Sequence, residues 1–142
     1  MSRLYKYILE FIVLFLILTI VANAQVAIIA NKSVPIDNIT KSYLFDLYSK
    51  DIIWWENNEP VIIFDLKPKT EVKQLFYSYL GKSPSRMKSI WLKKLLSGEG
   101  DPPEAVLSDE EMIQKIINTK GAIGFVDINS VTDSVKLLMR IE

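Results

Sequence analysis

Lys67, Lys69, Thr70 and Lys73 lie close together where the apolar run Val61–Phe64 gives way to a helical pattern. A strand feeding a helix presents first-turn backbone N–H groups and the positive end of the helix dipole. Here a hydroxyl and three ammonium groups would stand beside them, the parts of a site for a small oxyanion. The same residues also fit a plain capped helix, with Thr70 as cap and the lysines solvated. Glu71 favours the plainer reading, because a carboxylate in the first turn takes the dipole position an anion would use. Both readings stay open on sequence alone.

Other chemistry is thinly provided. The 142 residues include no histidine and no cysteine, which removes the imidazole base, the thiolate nucleophile and the usual zinc ligands. Asp109, Glu110 and Glu111 are consecutive at a helix start, where they compensate the dipole. Asp127 ends an apolar run and reads as a turn residue that could face a ligand. No Ser-x-x-Lys, Gly-x-Ser-x-Gly or Asp-rich calcium loop occurs. An enzyme is therefore not expected, nor a metal or cofactor. Seventeen basic residues balance seventeen acidic ones, which argues against nucleic acid as a partner. Trp91 lies on an apolar helical stripe and reads as core. Trp54 and Trp55 are adjacent, so in an extended segment they face opposite ways, and one is left as a candidate contact residue.

The elements that must position these groups are punctuated clearly. Val26–Ala30 and Val61–Phe64 read as strands buried on both faces, as in a parallel sheet. Ala122–Val126 is a third strand, and Val135–Ile141 an edge strand. Thr40 caps a helix carrying Leu44, Leu47 and Tyr48. Thr70 caps one carrying Val72, Leu75, Phe76, Tyr79 and Leu80, stopped by Gly81. Ser83-Pro84 opens a helix with Met87, Ile90, Trp91 and Leu95 inward. Ser108 and Glu111 form a capping box before Met112, Ile113, Ile116 and Ile117. Gly98–Pro103 reads as a loop. Strands alternating with helices predict an α/β fold with a mostly parallel sheet flanked by helices, and such sheets bind ligands beyond the carboxyl ends of their strands.

Arg3 and Lys6 precede an apolar run from Phe11 to Ala22, and Ala22-Asn23-Ala24 supplies small residues at a peptidase site. This predicts a signal peptide over residues 1–24 and a single domain over residues 25–142, periplasmic or secreted. A run of that length is short for a membrane span, which needs about 20 residues.

The order of motifs resembles the phosphate ABC transporter substrate-binding protein family, with its periplasmic-binding-protein-like domain. The resemblance rests on Tyr48-Ser49-Lys50, Trp55, the Asn57-Asn58 turn, Val61–Phe64, Thr70–Phe76 and Gly121-Ala122-Ile123-Gly124-Phe125-Val126, and it runs from about Val26 to Leu138. It implies one lobe of a type II periplasmic binding protein, resembling the second lobe. Where the family has Ser-Gly-Thr this chain reads Lys69-Thr70-Glu71, without the glycine that lets backbone approach an anion closely. The expected function is an exported, non-enzymatic solute-binding module that takes phosphate or another oxyanion weakly and is linked to ABC-type uptake. The alternative is an extracytoplasmic interaction or assembly protein, which would self-associate or join a membrane complex through its open cleft face.

Overall fold

The computed structural model describes residues 2–17 and 24–142. The amino-terminal segment forms helix α1 (Ser2–Ile17), exposed along residues 2–15. Among the described residues no helix is long and apolar enough to cross a membrane. Ala22 and Asn23 of the expected cleavage site lie outside the described residues.

The remaining elements are β1 (Val26–Ala30), α2 (Lys41–Tyr48), β2 (Ile62–Leu66), α3 (Glu71–Leu80), α4 (Pro84–Leu96), β3 (Glu104–Val106), α5 (Asp109–Asn118), β4 (Ala122–Asp127), a 3-10 turn (Ile128–Ser130) and β5 (Lys136–Ile141). The sheet order is β3-β2-β4-β1-β5. β2 runs parallel to β3 and to β4, while β1 is antiparallel to both β4 and β5. Four strands therefore share one direction, as expected of a mostly parallel sheet, and β1 alone opposes them. Its fully apolar sequence reports burial on two faces, which a central antiparallel strand with helices above and below also has, so composition does not carry its direction. β5 is an edge, as expected. β3 is a strand within a stretch with no strand pattern of its own, held by Phe64, Asp65 and Leu66 alongside.

Alternation along β4 separates the two helical layers. Phe125 points to one side, where its ring stacks on Phe76 of α3 at 3.9 Å and meets Tyr48 and Tyr77. Gly124 faces the other side, where Met112 and Ile116 of α5 press against it. A Cβ on Gly124 would lie 2.5 Å from the Met112 sulfur. Gly121, at φ +73°, would place a Cβ 2.1 Å from the Pro60 carbonyl oxygen. Its own carbonyl accepts from the Trp55 indole at 2.9 Å and its N–H donates to Ser33 Oγ at 3.0 Å. The two glycines of the Gly-Ala-Ile-Gly-Phe-Val run thus serve packing and a tight turn.

The helix caps form where the sequence places them. Thr40, Thr70, Ser83 and Ser108 each accept from the backbone N–H three residues on, and Gly81 closes α3 in the left-handed conformation. Glu111 departs slightly from the capping box, accepting from the N–H of Leu107 at 2.8 Å. On α3 the buried stripe is Val72, Lys73, Phe76, Tyr77 and Leu80. Leu75 and Tyr79, expected inward, are half-buried. The helix is rotated so that a lysine and a tyrosine enter the interior. On α4, Met87 and Trp91 are buried but Leu95 is exposed.

Candidate functional site

β2 ends in Asp65 and Leu66, and the chain turns through Lys67, Pro68 and Lys69 into α3. The Lys67 N–H donates to the Val106 carbonyl of β3 at 2.8 Å, which ties the turn to the sheet edge. Thr70 caps α3, its Oγ1 accepting from the Lys73 N–H at 3.2 Å. That leaves the Thr70 hydroxyl proton able to donate outward from an exposed position. The other first-turn N–H groups have no partner within the helix.

Lys73 lies in the first turn of α3 and is buried. Its ammonium approaches Asp65 Oδ2 at 3.4 Å, donates to the Leu66 carbonyl, and stands 6.0 Å above the Tyr77 ring. The second oxygen of Asp65 accepts from the Tyr77 hydroxyl at 2.7 Å. Burial, helped by the Asp65 charge, pushes the Tyr77 phenol far above its ordinary range. Tyr48, which donates to the Phe64 carbonyl at 2.8 Å, is pushed up by burial and Asp65 in the same way. The Lys73 charge is thus offset by a carboxylate, an arrangement that sequence reading missed because Asp65 lies on the strand and Lys73 on the helix.

A cavity of about 340 Å³ opens beside this pair, lined by Lys67, Lys69, Lys73, Gln74, Pro84, Ser85 and Lys88. It brings together three of the four residues nominated from the sequence. Thr70 is at the same turn but outside the lining. Lys88 and Ser85 were not nominated: they come from the first turns of α4, and the only trace in the sequence is the Ser83-Pro84 helix start. Among the described residues Lys67, Lys69 and Lys88 have no acidic partner. Glu71, whose place in the first turn competes with an anion on sequence grounds, lines a separate depression with Ala24, Gln25, Leu75 and Glu142. The cavity is therefore walled by three uncompensated cations and one compensated one.

The other candidates, Trp54 excepted, serve structural contacts. Asp127 Oδ1 accepts from the Asn129 N–H in the turn after β4. Asp109 accepts from the Asp127 N–H and from Ser130 Oγ, pinning that turn to α5. Trp55 is buried and Trp54 is 56% exposed, as their adjacency predicts. Trp91 is buried, its indole donating to the Tyr48 carbonyl at 2.7 Å. No group of acidic residues among those described could hold a metal ion.

No protein-family model matches the sequence, and neither does any curated protein. Solved structures do match the fold. An ABC-type phosphate transport receptor from Vibrio cholerae superposes with a TM-score of 0.63 at 20% identity, over 82% of this chain and 46% of that one. A phosphate ABC transporter substrate-binding protein from Clostridium perfringens, with phosphate bound, gives 0.63 at 16% identity over 81% of this chain and 44% of its own. PstS from Borrelia burgdorferi gives 0.59 at 17% identity, over 81% and 46%. The chain has the α/β fold of part of these proteins and spans less than half the length of each.

Proposed function

We propose that this chain is an exported, non-enzymatic solute-binding module whose ligand is a small oxyanion, phosphate in the first instance, held at the turn between β2 and α3. One observation carries the reading: Lys67, Lys69 and Lys88, none of them paired with an acid among the described residues, line one cavity at the start of two helices. Three cations around a concave wall favour an anion by Coulomb attraction, and helix N-termini add partial positive charge. Thr70 offers a hydroxyl donor at the same turn, and Lys73, neutralised by Asp65, holds the wall in shape. The phosphate proteins with the same fold support the choice of anion.

The site is open, so the anion keeps part of its hydration and is screened by salt. We expect a Kd nearer millimolar than micromolar, about −4 kcal/mol. Calorimetry of phosphate and sulfate at low salt tests this with wild type, Thr70→Ala, Lys67→Gln and Lys88→Gln. Weaker binding in the lysine variants supports the site; equal binding in all of them moves it elsewhere.

On the same reading residues 1–24 are a removable export signal, residues 25–142 the working domain, and ABC-type uptake the process served. Intact-mass analysis of exported protein, starting at Gln25, checks the first two. A second reading, an extracytoplasmic assembly protein that associates through an open cleft face, is favoured by the exposed indole of Trp54. It takes over if no oxyanion binds and the purified chain associates through that face.

A further inference from the structure

We infer that the outer face of α4 docks on an anionic phospholipid surface, with the lysine cavity taking a headgroup phosphate. The inference deepens the oxyanion reading of that cavity and rests on it for the headgroup. Helix α4 carries Arg86, Lys88, Lys93 and Lys94 and has no acidic residue from Pro84 to Leu96. Its inner side is occupied by Met87 and Trp91, and Lys94 is taken up by Asp51 and Glu99. The outer side is different. Ser85, Ser89, Leu92 and Leu96 follow one another at three- and four-residue spacing and so share a face. Leu92 is 54% exposed and Leu96 79%. With Ser89 and Lys93 they line a shallow depression.

Lys88 and Ser85 belong to the lysine cavity, so the cationic cavity and the leucine stripe are consecutive stretches of one helix face. A single exposed leucine needs no explanation. Leucines one turn apart, flanked by unpaired cations, match what an interfacial helix offers: alkyl groups for the acyl boundary and ammonium groups for the phosphate plane. A stripe one helix wide is small for a protein interface, which buries about 800 Å² per partner. A lipid surface requires no matching contour.

The chain has no cysteine, so Ser89→Cys can carry a single environment-sensitive fluorophore in the full-length protein. Vesicles of phosphatidylcholine alone are compared with vesicles that also contain phosphatidylglycerol. Because α1 is apolar and exposed and could bind vesicles by itself, the readout is the label at residue 89 and its quenching by brominated lipid, rather than sedimentation. We expect a blue shift and quenching only with phosphatidylglycerol present. Lys88→Gln and Lys93→Gln should each weaken the response about fivefold, and Leu92→Ser with Leu96→Ser should abolish quenching while the circular dichroism is unchanged. A label that stays in water on vesicles that hold the protein overturns the proposal, as does an equal response to neutral vesicles or a shift caused by polyglutamate and not by vesicles. Orthophosphate binding with a silent label overturns the docking and leaves the oxyanion reading standing. An inserted label without orthophosphate binding supports docking and removes the free-phosphate reading.

Discussion

The Lys73 ammonium stands 3.4 Å from a carboxylate oxygen of Asp65, with both side chains almost wholly out of solvent. The pair joins the end of β2 to the first turn of α3, and its lysine lines the cavity. Removing one member of a buried pair strands the other charge, a loss of about 3–5 kcal/mol. Lys73→Met should lower stability in urea by that amount. Joining it to Asp65→Asn, which still offers Tyr77 an acceptor, should recover most of the loss. Equal instability of the single and double variants would show that Lys73 acts through packing rather than charge.

Tyr77 ties stability to alkaline pH. Its phenol keeps its proton in the folded chain well beyond pH 10, because burial and Asp65 oppose the phenolate. The unfolded chain releases that proton near pH 10. The native state therefore binds more protons, so this contribution is intact below pH 10 and falls as pH rises further. Urea midpoints between pH 8 and pH 11 should decline, and less steeply in Tyr77→Phe. Tyr48 has the same sign, so some decline remains in that variant. At pH 8 the same substitution should cost about 1.5–3 kcal/mol, since it removes a hydrogen bond to a charged group.

Trp91 fills the space between α4 and the rest of the aromatic layer, with its indole N–H bonded to the Tyr48 carbonyl. Trp91→Ala should cost about 3–5 kcal/mol. Trp91→Phe keeps most of the volume and strands one buried carbonyl, which should cost nearer 1–3 kcal/mol. Denaturant titration separates the two, and a loss below about 1 kcal/mol for the alanine variant would mean that this face of α4 is not in the core.

Much of this architecture was legible because local physics decides it. Thr40, Thr70, Ser83 and Ser108 are caps in the sequence and in the structure, since a side-chain oxygen before a helix has a specific orphan donor to satisfy. The burial of Val26–Ala30 was readable from its apolar run, but its antiparallel direction was not, because direction depends on which strands the intervening helices bring alongside. The anion turn was readable as a strand end with lysines. Its fourth wall was not: Lys88 is separated from Lys67 by the whole of α3, and only the packing of α4 against α3 brings them to one cavity. The rotation of α3 was missed for a related reason. Lys73 and Tyr77 look like surface residues until Asp65, on another element, supplies a partner that makes their burial tolerable.

The glycine run at the start of the central strand β4 offers a test with two different mechanisms a few residues apart. At Gly124 an added methyl would meet the Met112 sulfur at 2.5 Å and the Ile116 Cδ1 at 2.9 Å. Both are ends of side chains that can shift, so Gly124→Ala should cost about 1–3 kcal/mol, the usual range for overpacking. At Gly121 the obstacle is the Pro60 backbone carbonyl at 2.1 Å, and the residue sits at positive φ. Left-handed strain of about 1–2 kcal/mol for a residue with a Cβ adds to a clash that only backbone movement relieves. Gly121→Ala should therefore be the more damaging, at roughly 3 kcal/mol or more. A double-mutant cycle distinguishes the mechanisms. Met112→Ala empties the space the new methyl needs at Gly124, so that pair should couple by more than about 0.5 kcal/mol. The same Met112→Ala should add independently to Gly121→Ala, whose methyl meets the Pro60 carbonyl and the Trp55 indole instead. If both pairs are additive, Gly124 is not there to admit α5, and the close seat of that helix on β4 needs another cause.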